Sequence, residues 1–146
     1  MRKVLIALAL CFVATNAWAV TVDLDIIAQI ESGGCKAPCI GDMGKAYGKF
    51  QIHKGVVEDW NRFADISGEP YMKHKDMFDD EKAGIVAKWY LEKQIPAYLR
   101  MMLRTNEPIT LEQTLTAWNM GIGSVKKGKV AREYVAKYRR IYDASR

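Results

Sequence analysis

Apolar side chains recur every three or four positions along most of this chain, which is the pattern of helices that bury one face. Such stretches cover residues 22–32, 54–66, 79–103, 110–119 and 129–142. Pro96 is expected to break or kink the third stretch, so that a shorter helical piece follows it. The pattern therefore predicts about five to six helices, with a loop over residues 69–78.

Residues 40–53 follow a different pattern. Three glycines punctuate this segment, while Tyr47, Phe50 and Ile52 alternate with other residues. Glycine-punctuated alternation favours a short hairpin or an irregular strand. The whole chain is therefore predicted to form a mainly α domain of the α+β class, with one small extended or hairpin region.

Aromatic residues fall on the predicted inward faces, where core packing is the ordinary role of such side chains. The last helix carries one stripe made of Val130, Tyr134, Tyr138 and Ile141. Tyr134 either packs in the core or points its hydroxyl at a cleft, because a buried tyrosine hydroxyl usually finds a partner. Periodicity alone leaves both interpretations open.

Residues 1–19 have the composition of a secretory signal peptide. Arg2 and Lys3 precede an apolar run over residues 4–14, and Ala17 and Ala19 form a small-x-small cleavage site. The run is short for a membrane span, which argues against the alternative of an uncleaved anchor helix. We therefore predict one domain over residues 20–146, periplasmic or secreted, with no stable membrane anchor after cleavage.

Charge adds a possible class of partner. The 146 residues include 22 Lys and Arg and 17 Asp and Glu, and removal of Arg2 and Lys3 leaves 20 basic residues and a net charge of +3. The basic excess lies near the end, at Lys126, Lys127, Lys129, Arg132, Lys137, Arg139, Arg140 and Arg146. Such a flank suits an anionic polymer, or is a solvated helix face. No nucleic-acid motif is present, and export argues against nucleic acid as the partner.

Two cysteines, Cys35 and Cys39, remain in the domain after cleavage. An exported chain meets oxidising conditions, so a disulfide between them is the leading prediction. It would stiffen the corner that follows Glu31. A zinc site that adds His53 or His74 is disfavoured, because the spacing fits no common zinc pattern.

Two carboxylates, Glu31 and Asp42, lie eleven positions apart on either side of this glycine-rich corner. Glu31 ends the first helix at the edge of its apolar stripe, where burial would favour the protonated carboxyl that a general acid requires. The alternative is an ordinary solvated glutamate in a last helical turn. Two carboxyl groups in unlike environments are the requirement of glycoside cleavage.

Four segments, in order, resemble the lysozyme-like superfamily, and most closely the soluble lytic transglycosylases and goose-type lysozymes. Glu31-Ser32 resembles the motif that holds the catalytic acid. Residues 44–52 resemble the G-x-x-x-G-x-x-Q segment that lines the cleft, residues 117–123 the A-(Y/W)-N-x-G-x-G motif, and residues 134–138 the C-terminal Y-V motif. Together the four segments span nearly the whole domain.

The resemblance implies a lysozyme-like fold and cleavage of the β-1,4 bond between N-acetylmuramic acid and N-acetylglucosamine in peptidoglycan. It implies Glu31 as the catalytic acid. It also implies a set of substrate-binding residues, namely Ser32, Tyr47, Gly48, Gln51, Asn119 and Tyr134. Lys49 departs from the pattern, since it is charged where transglycosylases have an apolar residue, and the Cys35–Cys39 insert is not general to them.

The resemblance leaves the reaction product open. Lytic transglycosylases lack a second carboxylate, and the C6 hydroxyl of muramic acid closes on C1 to leave a 1,6-anhydro end. Goose-type lysozymes use water, and residues 42–51 resemble their D-x-G-x-x-(F/Y)-G-x-x-Q run, which makes Asp42 a second catalytic candidate. Inverting hydrolysis would need the two carboxyl groups about 6.5–9.5 Å apart.

No cofactor or metal is implied, since acid–base chemistry on a glycoside needs none. The expected partner is the peptidoglycan glycan strand, and a cell-envelope secretion or pilus machine is a further candidate. The alternative function is a lysozyme-fold protein that binds glycan without cutting it. A binding protein has little reason to keep an acid at Glu31, so the enzyme is the preferred prediction.

Overall fold

The computed structural model describes residues 19–36 and 38–146. Its helices are α1 (Leu24–Ser32), α2 (Lys54–Ser67), α3 (Asp80–Trp89), α4 (Ile95–Leu103), α5 (Leu111–Met120), α6 (Ile122–Lys126) and α7 (Arg132–Ala144). The strands are β1 (Ile40–Gly41), β2 (Ala46–Tyr47) and β3 (Ile52–His53). The prediction of a mainly helical chain with one small hairpin region is confirmed.

Short-range signals set the helix ends. The Asp23 carboxylate caps α1 by accepting hydrogen bonds from the backbone of Asp25 and Ile26. At the other end Gly33 adopts a left-handed φ of 68°, which a residue with a Cβ avoids. Thr110 and Gln113 form a reciprocal capping box at the start of α5. The first helix therefore stops where its sequence predicts, with Glu31 in its last turn.

The core lies among α1, α3, α4, α5 and α7. Its largest fully buried side chains are Ile27, Ile52, Met77, Val86, Leu91, Ile95, Leu99 and Leu115. Helix α1 packs against α7 and α3, while α5 packs against α4, α6 and α7. The last turn of α1 is thus brought beside α5 and α7, which are distant in sequence.

The three strands form an antiparallel sheet in the order β1-β2-β3. One row of the sheet consists of Gly41, Ala46 and His53, and the adjacent row of Ile40, Tyr47 and Ile52. A 3-10 turn over Asp42–Gly44 joins β1 to β2. The first row and the turn that follows it face the site described below.

A second 3-10 turn, His74–Phe78, holds the sheet from the other side. The His74 ring stacks on Tyr47 with 3.9 Å between ring centroids, and its Nε2 lies 2.8 Å from the carbonyl oxygen of Ile52. Phe78 also stacks on Tyr47, at 4.6 Å. This turn lies within the segment that the sequence predicts to be a loop, and aromatic packing orders it.

Three features depart from the sequence prediction. The predicted shorter helical piece is present as α4, but the interruption lies before Pro96 rather than at it, because the π-helical turn Tyr90–Gln94 separates α3 from α4 and the backbone N–H of Ile95 reaches the Tyr90 carbonyl. Val130 is exposed rather than part of the last stripe, since α7 begins only at Arg132. The short helix α6 was not predicted, and it follows Gly121, whose φ is 84°.

The predicted signal peptide, residues 1–19, lies outside the described residues apart from Ala19. None of the helices in the described part of the chain has the length and apolar character needed to cross a membrane. Cys35 and Cys39 are paired as a disulfide, with 6.5 Å between their Cα atoms. The predicted pairing of these two cysteines is therefore present in the structure.

Candidate active site

Glu31 occupies a junction of three helices. Its Oε1 accepts a 2.7 Å hydrogen bond from Trp118 Nε1 on α5 and a second 2.7 Å bond from the Tyr134 hydroxyl on α7. The side chain is partly buried in the last turn of α1. Glu31 is therefore not a solvated surface glutamate, and its carboxyl orientation is fixed by residues 87 and 103 positions away.

Both donors act on the same oxygen, which has a chemical consequence. In the carboxylic acid form, Oε1 is the carbonyl oxygen that accepts both hydrogen bonds, and the proton is carried by Oε2. Burial, and then the neighbouring charge of Glu31, raises the pKa of the Tyr134 hydroxyl far above its ordinary range. Tyr134 thus remains a donor at any physiological pH, and Oε2 accepts neither of these two hydrogen bonds.

Glu31 borders an open cleft of about 350 Å³ between helices and sheet. The lining residues are Glu31, Asp42, Ala46, Gln51, Ile52, His53, Val56, Tyr90, Ala117, Trp118, Asn119 and Gly121. The helical wall comes from α1, α5 and the π-helical turn, and the opposite wall comes from the sheet and the start of α2. This volume lies at the lower end of the range of about 300–1,000 Å³ for ligand-binding clefts.

Asp42 also lines this cleft, from the sheet side. Its φ is 44° and that of the following Met43 is 52°, so two consecutive residues with a Cβ adopt left-handed conformations. Such strain clusters at functional sites, because the surrounding structure must enforce it. About half of the Asp42 side chain is exposed, and His53 Nε2 lies 3.5 Å from its Oδ2. The two carboxylates therefore border one cleft in unlike environments.

Gln51 and Asn119 are the other predicted site residues that line the cleft. Gln51 has a φ of 50°, and its side-chain amide donates a 2.8 Å hydrogen bond to the carbonyl oxygen of Gly48. The Gln51 side chain occupies the space where a Cβ at position 41 would lie, only 1.8 Å from Oε1, which explains the glycine there. Asn119 is exposed near the end of α5, with its amide available to a ligand.

Ser32, Tyr47 and Gly48 support the site without lining the cleft. The Ser32 hydroxyl lies 2.8 Å from the carbonyl oxygen of Lys49 and accepts a hydrogen bond from the backbone of Cys35, so it ties the end of α1 to the sheet. Tyr47 is engaged by the aromatic stack described above. Gly48 has a φ of 74° and lies so close to Met77 that a Cβ would overlap the Met77 carbonyl.

His53, Val56 and Tyr90 line the cleft although the sequence did not single them out as binding residues. Burial, followed by the neighbouring charge of Asp59, raises the pKa of Tyr90 to about 12. Of these three residues, only His53 could have been recognised from the sequence as a cleft residue, because it directly follows the Gln51-Ile52 segment. The other two belong to helical stripes that periodicity assigns to the core.

Across residues 19–36 and 38–146, His, Cys, Asp and Glu side chains form no group of three or more that could hold a metal ion. Comparison of the chain with protein-family models, with curated proteins and with solved structures finds no match. The geometry of the cleft therefore carries the functional argument.

Proposed function

We propose that this chain is a peptidoglycan-cleaving muramidase with a lysozyme-like fold, in which Glu31 is the general acid. The observation that carries the proposal is the Glu31 carboxyl at the edge of the cleft, with two neutral donors on Oε1 and Oε2 left to carry a proton. The substrate bond is the β-1,4 linkage from N-acetylmuramic acid to N-acetylglucosamine.

In the proposed reaction, Oε2 of Glu31 gives its proton to the glycosidic oxygen as the bond from this oxygen to C1 breaks. Positive charge then develops at C1 and its ring oxygen. The Glu31 carboxylate left behind is stabilised by the hydrogen bonds from Trp118 and Tyr134, which are stronger when the acceptor is charged. These donors therefore favour the transition state over the starting acid.

Two completions of the reaction remain candidates. Water can add to C1, with Asp42 taking its proton, which yields a reducing end. Alternatively the C6 hydroxyl of the muramic residue closes on C1, which yields a 1,6-anhydro end and needs no second carboxylate. Asp42 on the opposite wall of the cleft supports the first completion.

The cellular setting belongs to the same proposal. Peptidoglycan lies outside the cytoplasmic membrane, and the Cys35–Cys39 disulfide suits that oxidising setting. Asn119 and Gln51 line the cleft with amide side chains that suit the acetamido groups of the sugars, although the Gln51 amide also donates a hydrogen bond to the Gly48 carbonyl oxygen. A periplasmic or secreted enzyme, acting on glycan strands for a secretion or pilus machine or for wall remodelling, fits these features.

The test is digestion of purified peptidoglycan by residues 20–146, followed by mass spectrometry of the released muropeptides. Glu31→Gln should lower the release rate by at least about a hundredfold, since general acid catalysis contributes that much. Glu58→Gln is the matched control, because Glu58 is an exposed α2 carboxylate that does not line the cleft and should leave the rate unchanged. Full activity of Glu31→Gln would contradict the proposal.

If neither the wild-type protein nor Glu31→Gln releases fragments, while both bind peptidoglycan in a sedimentation assay, the chain is a glycan-binding protein instead. Such a protein would also bind glycan in the cleft, but the two hydrogen bonds to Glu31 would then have no catalytic role. Substituting Glu31 would then alter binding rather than turnover.

A further inference from the structure

Besides Glu31, the cleft contains two titratable side chains that lie close to each other, Asp42 and His53. His53 Nε2 is 3.5 Å from Asp42 Oδ2, and about half of each side chain is exposed. His53 pairs with Ala46 across the sheet, and Ala46 pairs with Gly41, the residue before Asp42. The histidine and the aspartate thus reach each other across the middle strand.

The middle strand makes this approach possible. Ala46 is nearly fully buried and lines the cleft with its methyl group. Directly paired residues project to the same face of a sheet, so His53 and Ala46 share the cleft face. Ala46 carries only a methyl group on this face, which leaves the space beside it to Asp42 and His53, while the Gln51 side chain fills the space next to Gly41.

The backbone of the turn after β1 places Asp42 beside His53. The φ values of Asp42 and Met43, 44° and 52°, place both in the left-handed region, and the Lys45 N–H closes the turn on the carbonyl oxygens of Gly41 and Asp42. His53 is fixed in turn, because it ends β3 and stands at the N-cap of α2. The backbone therefore constrains both residues: Asp42 lies in a turn with left-handed φ angles, and His53 lies where β3 ends and α2 begins.

We propose that His53 is a positioning residue that holds the Asp42 carboxylate for water activation, so that this muramidase releases reducing ends. The inference rests on the proposed function. Water attacks C1 and gives one proton to Asp42, while Glu31 gives its proton to the departing oxygen. One water is consumed, and the two carboxyl groups return to their starting forms by exchanging protons with solvent.

The pair acts in a cleft with few other charged groups. The titratable side chains that line it are Glu31 from α1, Asp42 from the turn after β1, His53 from β3 and Tyr90 from the π-helical turn. The His53 imidazole, with Nε2 3.5 Å from Asp42 Oδ2, restrains the orientation of the Asp42 carboxyl group. The lysine next to His53, Lys54, is instead paired with Glu58 at 3.5 Å.

The experiment measures the ratio of reducing to 1,6-anhydro ends by mass spectrometry, at saturating peptidoglycan and over a pH series. Wild type should give mainly reducing ends. His53→Gln should slow their release about fivefold, because a half-exposed contact between a histidine and a carboxylate is a weak one. The anhydro fraction should rise.

A double-mutant design separates positioning from a general structural effect. In an Asp42→Asn background, adding His53→Gln should change nothing further, since His53 acts only through Asp42. His53→Lys places an ammonium group beside Asp42 and should retain more reducing-end product than His53→Gln. Glu58→Gln breaks an ion pair of the same length outside the cleft and should leave the product ratio unchanged.

Several results would overturn the inference alone. An active wild type that releases only anhydro ends would do so, and so would a His53→Gln variant that keeps the wild-type rate and ratio. An effect of His53→Gln that persists in Asp42→Asn, or a His53→Lys ratio equal to that of His53→Gln, would also contradict it. Absence of any fragments from wild type would instead refute the proposed function, and the inference with it.

Discussion

At the scale of single residues, the most informative side chain is Glu31, because its two partners come from separate helices. Trp118 and Tyr134 both donate to Oε1, and neither could be assigned this role by spacing in the chain. Two hydrogen bonds on one oxygen restrict the rotation of the carboxyl group. A general acid gains from this restriction, since proton transfer needs a fixed donor position.

Removing one of the two donors should reduce activity without unfolding the protein. Tyr134→Phe loses the hydrogen bond from the tyrosine hydroxyl to the Glu31 carboxyl, and under the proposed function we expect about a tenfold or larger loss in the rate of muropeptide release. Stability measured by urea unfolding should fall by about 1–3 kcal/mol.

Tyr138→Phe provides the matched control for this substitution. Tyr138 lies on the same helix one turn later, and its hydroxyl accepts a 2.8 Å hydrogen bond from the backbone of Asp23 rather than contacting Glu31. We expect a comparable loss of stability with activity kept within about twofold. Equal losses of activity in the two variants would mean that Tyr134 acts only through the fold.

At the scale of elements, the small sheet depends on its contact with the His74–Phe78 turn. Each strand has only two residues, which is too short for independent stability. The stack of His74 and Phe78 on Tyr47 supplies the packing that the strands lack. Because the sheet carries Asp42, Gln51 and His53, this contact also positions one wall of the cleft.

Two glycines of this region allow the contact to be tested. Gly48→Ala adds a Cβ that would lie 1.8 Å from the Met77 carbonyl oxygen, at a φ of 74°. Gly44→Ala meets a comparable φ of 90° but nothing within 4 Å. We expect a loss of about 1–2 kcal/mol from backbone strain at Gly44.

At Gly48 the overlap adds to this strain, so we expect a loss of more than about 3 kcal/mol in urea unfolding. Backbone atoms cannot move aside as a flexible side chain can. Similar losses in the two variants would show that the sheet and the turn are free to separate.

At the scale of the whole molecule, buried tyrosines couple stability to alkaline pH. Burial raises the pKa of Tyr134 and Tyr138, and burial together with Asp59 raises the pKa of Tyr90 to about 12. The unfolded chain loses these protons from about pH 10, while the folded protein still holds them. Stability is therefore full below pH 10 and falls as the pH rises toward the folded pKa.

Urea unfolding from about pH 8 to pH 11 should show this fall. Tyr90→Phe removes one of the contributing hydroxyls, so its stability should decline less steeply above about pH 10. Tyr71→Phe alters a ring that is 64% exposed and should keep the wild-type slope. Identical slopes in all three proteins would exclude a contribution of Tyr90 to the pH dependence.

The sequence by itself determined the helices and the position of Glu31 within them. Apolar periodicity, the caps at Asp23 and Thr110, and the left-handed Gly33 are local signals, so they can be read without knowledge of distant contacts. The pairing of Cys35 with Cys39 was predictable for the same reason. The carboxylates at Glu31 and Asp42 were candidates because chemistry restricts which side chains can serve.

Only the tertiary structure decided how these side chains meet. The Trp118 and Tyr134 bonds to Glu31 span 87 and 103 positions, and no periodicity encodes such contacts. The same holds for His53 beside Asp42, which depends on sheet register, and for the π-helical turn that accommodates Pro96. Ser32 and Tyr47 became supports rather than cleft residues because packing, not motif membership, sets the direction of a side chain.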